Sequence, residues 1–284
     1  MEDKFLKKIY FVAGLPRAGS TLLCNILNQH PNIYGSASSP LLDFVRLHRN
    51  SWMKNPFAKA MDEEEALIKK LGAIRGMMSG MYEGFTDAPI IFDKNRGWPT
   101  MFEFLSTVMS GRENVKMVIC VRDLRDIVAS FERLFRKTSE TGTTTQEMYV
   151  GAEYRTALER AKYCCNPQEP LGYATRVTTD LFSRGFKDNV IVVEYDKLTT
   201  NPGRTMTEIY QFLGIEPHEH DFDNVEQVTK EDDRIHGFKG LHDIMKKVTP
   251  QPEQWKKIYD NTVKQTPFWA SLTKEAKFWK ALMT

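Results

Sequence analysis

Four short runs rich in β-branched residues constrain the fold more than any other feature of the sequence. Each run is almost continuously apolar, and segments of ten or more residues with helical spacing of their apolar side chains lie between the runs. Such runs are typical of parallel strands that are covered on both faces. The sequence therefore predicts an α/β fold with a central parallel sheet flanked by helices and core strands near 8–14, 89–94, 116–122 and 189–195.

Composition narrows the class of protein further. The 284 residues include 41% hydrophobic and 27% charged residues without a repeat or an evident linker, so we expect a single domain over 1–284. A net charge of +2 gives no overall attraction to nucleic acid or to an anionic membrane. No apolar run approaches the ~20 residues of a spanning helix, and the N-terminus lacks an apolar signal core. The four cysteines show no disulfide or metal-ligand spacing, which favours a cytoplasmic protein.

A glycine-rich loop follows the first predicted strand. The sequence GLPRAGST (14–21) keeps the two glycines of the phosphate-binding pattern G-x-x-x-x-G-K-[ST], but Ser20 stands where that pattern has lysine. Backbone N–H groups in such a loop, at the start of a helix, can bind an anion. Without the lysine that reaches the β- and γ-phosphates, a nucleoside triphosphate is disfavoured as the ligand. The alternative is an ordinary strand-to-helix turn.

A second candidate anion site follows the third predicted strand. Arg122 ends that strand, and Ser130 lies eight residues later on the next predicted helix. Ligands of open α/β sheets bind at the carboxyl ends of the strands, which is also where the glycine-rich loop lies. A guanidinium with its planar fork of donors and a nearby hydroxyl suit a phosphate. The alternative is that Arg122 is paired with an acid while Asp123 caps the helix.

Together, the loop and the arginine–serine pair resemble the motifs of the sulfotransferase family, which uses 3'-phosphoadenosine 5'-phosphosulfate as sulfuryl donor. The family's Pro-Lys/Arg-Ser-Gly-Thr/Ser-Thr loop is matched by 16–21, with Ala18 as the departure, and its Arg–Ser pair by Arg122 and Ser130. Arginine at position 17 makes the loop more similar to the tyrosylprotein and bacterial branches than to the cytosolic phenol and steroid branch.

Two later segments extend the resemblance. Tyr195 lies in a stretch similar to the family's Tyr-Glu-Asp-Leu strand end, and HGFKG (236–240) resembles its late Lys-Gly-x-x-Gly loop. The resemblance implies a P-loop NTPase-like three-layer fold and sulfuryl transfer to a hydroxyl or amine of a small molecule, sugar or peptide, with no metal required. The donor-binding residues that it implies are Pro16, Arg17, Ala18, Gly19, Ser20, Thr21, Leu22, Arg122, Ser130, Tyr195, His236 and Gly237.

The resemblance also implies roles for these residues. Arg17 would contact the bridging and sulfuryl oxygens, because charge stabilisation and positioning are the main requirements of such a transfer. The loop N–H groups with Ser20 and Thr21 would bind the 5'-phosphate. Arg122 and Ser130 would bind the 3'-phosphate.

The acceptor hydroxyl needs a general base, and the family's usual bases are missing from this sequence. Arg96 replaces the histidine of the cytosolic members, and serines occupy the region of the tyrosylprotein glutamate. Asp93 is the predicted base and Asp43 the alternative, with Lys94 assisting at the sulfuryl group. Asp93 could instead form an ion pair with Lys94 or Arg96. No role is assigned to the histidines His30, His48, His218, His220 and His242.

Two other functions stay open at this stage. One is a P-loop kinase acting on a small molecule, and the other is a nucleotide-binding protein without catalytic activity. Segments 34–88 and 137–175 are predicted to form acceptor-side insertions, with a mobile loop at 137–146.

Overall fold

The four apolar runs form the strands of a parallel sheet to which a fifth strand is added. The computed structural model describes residues 7–140 and 156–283. The sheet has the order β2-β3-β1-β4-β5 and every pairing in it is parallel. The predicted α/β fold is thus confirmed, with strands β1 Lys8–Gly14, β2 Ile33–Ser38, β3 Ile90–Lys94, β4 Met117–Val121 and β5 Val190–Glu194.

Strand β2 has no counterpart among the predicted runs. Its sequence, IYGSAS, is rich in small residues, and it lies at the edge of the sheet, where it pairs only with β3. Small residues are required there, because a Cβ on Gly35 would lie 2.7 Å from the backbone oxygen of Cys24. Close packing against the first helix therefore selects small residues in β2, so this strand lacks the continuous apolar run of the central strands.

Helices follow most strands. Residues 41–54 and 56–59 form helices that the apolar spacing does not predict, and 137–140, predicted as loop, continue a helix in which the buried Thr138 donates to the carbonyl of Leu134. The remainder of the predicted mobile loop lies outside the described residues.

The α-helices of the described residues are α1 Ser20–Leu27, α2 Leu41–Lys54, α3 Pro56–Lys59, α4 Glu63–Gly80, α5 Phe102–Val108, α6 Leu124–Glu140, α7 Ala157–Cys164, α8 Pro170–Ser183, α9 Tyr195–Thr200, α10 Pro202–Leu213, α11 Trp255–Ile258, α12 Asn261–Lys264 and α13 Pro267–Met283.

The central strand β1 fixes the loop that follows it. Its Phe11 and Val12 are fully buried, and the Phe11 ring packs 4.6 Å from that of Trp98. At its carboxyl end Gly14 pairs with Cys120 of β4, whose carbonyl accepts a hydrogen bond of 2.8 Å from Leu15 N–H. The rigid centre of the sheet therefore sets where the glycine-rich loop begins.

We predict that Gly14→Ala is strongly destabilising. Gly14 has φ +116°, and a Cβ there would lie 2.1 Å from the Cys120 carbonyl oxygen. Backbone strain of ~1–3 kcal/mol and overpacking of ~1–3 kcal/mol should together lower the free energy of unfolding by about 3 kcal/mol or more in urea denaturation. Gly72→Ala is the control, because Gly72 lies within a helix with open space around it. It should stabilise by about 0.5–1 kcal/mol, and equal effects of the two substitutions would contradict the prediction.

Candidate active site

The glycine-rich loop presents free backbone donors at the start of α1. Arg17 has φ +57° and Gly19 φ +86°, so the chain turns sharply before the helix begins at Ser20. No side chain of the described residues caps this helix. Its first N–H groups therefore have the arrangement that binds anions.

Arg17 extends from the loop to two other segments. Its Nε donates to Ser130 Oγ at 3.1 Å, and its Nη1 donates to the carbonyl of Leu241. Ser130 itself is 3% exposed on helix α6. The structure thus brings together the cation of the first motif and the hydroxyl of the second.

Arg122 lies directly behind the loop. Its Nη1 donates to the backbone oxygen of Arg17 at 3.2 Å and its Nη2 to that of Gln251 at 3.3 Å. The guanidinium stacks 4.1 Å from the centre of the Tyr195 ring. Its Nε is buried without a hydrogen-bond partner among the described residues. A buried donor without a partner in the protein can donate a hydrogen bond to an oxygen-rich anion.

Three guanidiniums, those of Arg17, Arg122 and Arg133, are concentrated here. Burial, followed by the charges of Arg122 and Arg133, lowers the pKa of Arg17 to about 10. Burial and Arg122 also lower the pKa of Arg133. Over residues 7–140 and 156–283, none of these arginines has a carboxylate within ion-pair distance. The alternative in which Arg122 is merely paired with an acid is therefore wrong, and the cluster favours an anionic ligand.

The cluster opens into a cavity of about 620 Å³. Most of the predicted donor-binding residues line it, namely Pro16, Arg17, Gly19, Ser20, Thr21, Leu22, Arg122, Ser130, Tyr195 and His236. Ala18 and Gly237 do not contribute to the lining. The Ala18 side chain is fully buried in the core, and Gly237 ends a short helical turn with φ +73°. Phe135, Arg160 and Tyr163 line the cavity at α6 and α7, away from the loop.

Lys94 joins the loop to a buried carboxylate. Its Nζ donates to Thr21 Oγ1 at 3.2 Å and to Glu231 Oε1 at 2.9 Å, and the same Glu231 oxygen accepts from Ser38 N–H at 2.9 Å. Burial opposes ionisation of Glu231, but Lys94 outweighs it and holds the pKa of Glu231 below its usual value. Lys94 is therefore a cation whose charge is already balanced.

Asp93 does not reach the cavity. Successive side chains of a strand face opposite sides of the sheet, so Asp93 lies away from Lys94. Its carboxylate is fully buried, where it accepts from Trp98 Nε1 at 2.7 Å and from the Tyr82 hydroxyl. Burial raises the pKa of Asp93. This placement corrects the prediction of Asp93 as the base, and it also contradicts an ion pair with Lys94 or Arg96.

Asp43, the alternative candidate for the base, and most of the histidines lie outside the cavity. Asp43 is on α2, where it approaches Arg46 at 3.6 Å. The rings of His30, His218 and His220 form a group beyond the end of α1, with centres 5.0–5.1 Å apart. His242, in contrast, lines the cavity together with His236.

Comparison with known proteins decides the family. The model of the sulfotransferase family matches residues 10–220. The chain belongs to the sulfotransferase family. It is 23% identical over 216 residues to a protein-tyrosine sulfotransferase of Drosophila melanogaster and 23% identical over 218 residues to a putative one of Caenorhabditis briggsae. These matches cover 73% and 74% of this chain but only 38% and 66% of the relatives' lengths.

A solved structure supports the fold of the chain. The sulfotransferase domain from the Synechococcus PCC 7002 olefin synthase superposes with a TM-score of 0.54 at 16% identity, over 98% of this chain and 96% of that domain. No helix in the described part of the chain is long and apolar enough to cross a membrane. In that same part, no group of three or more His, Cys, Asp or Glu side chains is arranged to hold a metal ion.

The contribution of residues 231–251 to the candidate site is not predicted from the sequence beyond HGFKG. This segment supplies the Leu241 carbonyl to Arg17, the Gln251 carbonyl to Arg122 and the Glu231 carboxylate to Lys94. Most of it is irregular chain. The apolar periodicity that reveals helices and strands is therefore absent from it.

We predict that the buried pair of Lys94 and Glu231 makes the stability of the protein depend on pH. Glu231→Gln leaves a buried ammonium unpaired and should cost about 3–5 kcal/mol of unfolding free energy at pH 7. Because the folded-state pKa of Glu231 is lowered, its contribution is present above the unfolded pKa of ~4.3 and is lost as pH falls through the folded value. The cost should thus shrink in acid. Urea denaturation at neutral and acidic pH measures it, with the exposed Glu226→Gln as control; a cost independent of pH would refute it.

Proposed function

We propose that the protein transfers a sulfuryl group from 3'-phosphoadenosine 5'-phosphosulfate to a hydroxyl or amine acceptor. One observation carries the proposal: an uncapped helix N-terminus and a cluster of unneutralised arginines meet at one end of a cavity in a chain of the sulfotransferase family. A donor with two separate phosphates and no γ-phosphate accounts for both anion sites. It also accounts for Ser20 where a triphosphate-binding loop has lysine.

Some residues of the site bind the donor, and others stabilise the charge that develops during the transfer. The loop N–H groups with Ser20 and Thr21 hold the 5'-phosphate, and Arg122 with Ser130 holds the 3'-phosphate beside Tyr195. The acceptor oxygen attacks sulfur as the bond from sulfur to the 5'-phosphate oxygen breaks. Arg17 stabilises the charge on that bridging oxygen and on the sulfuryl oxygens, and Lys94 orients Thr21 and the transferred group.

The two competing functions fit the site less well. A P-loop kinase needs a carboxylate that holds magnesium beside the phosphates, and Asp93, the candidate at a strand end, is buried outside the cavity. A protein that only binds nucleotide has no need for a cavity that continues past the arginines to Phe135 and Tyr163.

The state of the cysteines bears on the compartment of the protein. The thiols of all four cysteines are free, which favours the reducing cytoplasm.

The acceptor, a hydroxyl or amine compound in this proposal, can be found by screening. The names of the relatives make a tyrosine-containing peptide the first acceptor to test, followed by small phenols, alcohols and sugars. Radiolabelled donor and purified protein suffice, since transfer is read from the labelled acceptor. Labelled product with any acceptor supports the proposal. Binding of adenosine 3',5'-bisphosphate without transfer to any of them would favour the non-catalytic alternative.

We predict that Arg122→Ala weakens binding of adenosine 3',5'-bisphosphate. A hydrogen bond to a charged group is worth ~1.5–3 kcal/mol, so the dissociation constant measured by calorimetry should rise about 10–100-fold. Adenosine 5'-phosphate, which lacks the 3'-phosphate, should lose much less. Arg204→Ala, at an exposed position on α10, is the control. An Arg122→Ala protein that binds both nucleotides as wild type does would exclude Arg122 from the 3'-phosphate site.

We predict that Arg17→Ala acts mainly on turnover. Removing one donor to a developing negative charge typically costs ~10²–10³ in kcat, and Arg17 should follow this pattern. The dissociation constant of adenosine 3',5'-bisphosphate should change much less, because the product has lost the sulfuryl group. Single-turnover transfer and calorimetry on the same preparation separate the two effects. If the product nucleotide binds as poorly as turnover is slow, Arg17 is a binding residue instead.

A further inference from the structure

We propose that His242 is the general base for the acceptor hydroxyl and that Asp233 positions it. This inference rests on the proposed sulfuryl transfer and supplies the proton acceptor that Asp93 cannot provide. It starts from a buried cluster in which two carboxylates hold one imidazole at the edge of the cavity.

The hydrogen bonds of His242 leave one ring nitrogen available. Nδ1 lies 2.5 Å from Asp233 Oδ1 and 3.3 Å from Glu231 Oε2. The other oxygen of Asp233 accepts from the backbone N–H of His242 at 3.0 Å, which fixes the carboxylate against the ring. No described residue hydrogen-bonds to Nε2. With the proton on Nδ1, Nε2 carries the lone pair that a base requires.

His242 is better placed than either carboxylate to receive a proton. It lines the cavity, whereas neither Glu231 nor Asp233 does. Glu231 Oε1 is already occupied by Lys94 and by Ser38 N–H. The imidazole therefore stands between two carboxylates and the cavity, which is the relation of base and orienting acid in nucleophile-activating sites.

The same contacts place His242 at the reacting end of the cavity. The carbonyl of the preceding residue, Leu241, accepts from the Arg17 guanidinium. Glu231 connects the imidazole to Lys94, which in turn donates to Thr21 of the phosphate loop. His242 is thus connected to both cations assigned to the sulfuryl group, to Arg17 through the neighbouring Leu241 and to Lys94 through Glu231.

The protonation state suits the role. Burial, the largest influence, and Lys94 lower the pKa of His242, while Asp233 and Glu231 act in the opposite direction. The net direction is downward, so the ring is neutral at pH 7. The His236 ring, 5.8 Å away, is the other titratable group facing it. We therefore expect turnover to rise with pH and to level off below the usual titration range of histidine.

The proposed step is balanced without another reagent. As the acceptor oxygen forms its bond to sulfur, its proton moves to Nε2 and the bond from sulfur to the 5'-phosphate oxygen breaks with its electron pair. His242 becomes a cation whose Nδ1–H is held by Asp233. It returns the proton to solvent when the products leave.

The test combines variants with a spectroscopic measurement on the wild type. With labelled donor and the acceptor found in the screen, His242→Gln should lower turnover about 10²–10⁴-fold while binding adenosine 3',5'-bisphosphate as wild type does. Asp233→Asn should lower turnover less and shift the limb of the pH profile to lower pH. His218→Gln, outside the cavity, is the control and should turn over normally. Histidine nitrogen NMR of the wild type at pH 7 should show His242 neutral with its proton on Nδ1.

Each contrary result overturns the proposal in a recognisable way. Full turnover of His242→Gln, or a loss of nucleotide binding that matches its loss of turnover, excludes His242 as the base. A proton on Nε2, or a ring charged at pH 7, does the same without relying on any variant. A wild type that binds nucleotide but transfers nothing contradicts the proposed function itself. The control for folding is thermal unfolding of each variant.

Discussion

The site depends on positive charge that the protein leaves unneutralised at the carboxyl edge of its sheet. Burial and then the charge of Arg122 lower the pKa of both Arg17 and Arg133, which is a cost to the folded state. The cost is tolerable because neutral acceptors, carbonyls and a hydroxyl, occupy part of each guanidinium fork. In the proposed function, a bound polyanion would offset it further through charge-assisted hydrogen bonds. Stability and ligand binding are therefore linked through the same three side chains.

The strand order explains why these groups meet. The central strand β1 carries the loop, and its neighbours β3 and β4 end at Lys94 and Val121. Parallel strands bring these ends to one edge, so residues far apart in sequence converge without any long-range signal in the local pattern. Tyr195, just past the end of β5, closes the far side by stacking on Arg122. The close approach of Gly19 to that ring, where a Cβ would lie 2.8 Å away, shows how tightly the loop is packed.

The sequence predicts those parts of the fold and of the site that leave a local pattern of residue types. Core strands and the loop are predicted because a continuous apolar run is typical of a buried strand and the paired glycines are typical of a tight anion-binding turn. Strand β2 is missed because packing against Cys24, rather than burial of large side chains, selects its residues. Asp93 is misjudged because residue type and position at a strand end do not reveal the side of the sheet that it faces. The role of Glu231 depends on irregular chain folding over the loop, which has no periodic pattern.

The loop position that departs from the family, Ala18, has a simple place in this picture. Its side chain lies in the core rather than in the cavity, so only its backbone can serve an anion, and a methyl group suffices there. Arg17 and Lys94, the two cations assigned to the sulfuryl group, differ in how far their charges are neutralised by neighbouring groups. Lys94 is balanced by Glu231, whereas within residues 7–140 and 156–283 the hydrogen-bond partners of the Arg17 guanidinium are a serine hydroxyl and a carbonyl. A charge already paired has less attraction left for a developing negative charge than one held by neutral groups. We therefore propose that charge stabilisation depends on Arg17 rather than on Lys94, and that Lys94 acts mainly by fixing Thr21 and the carboxylate behind His242.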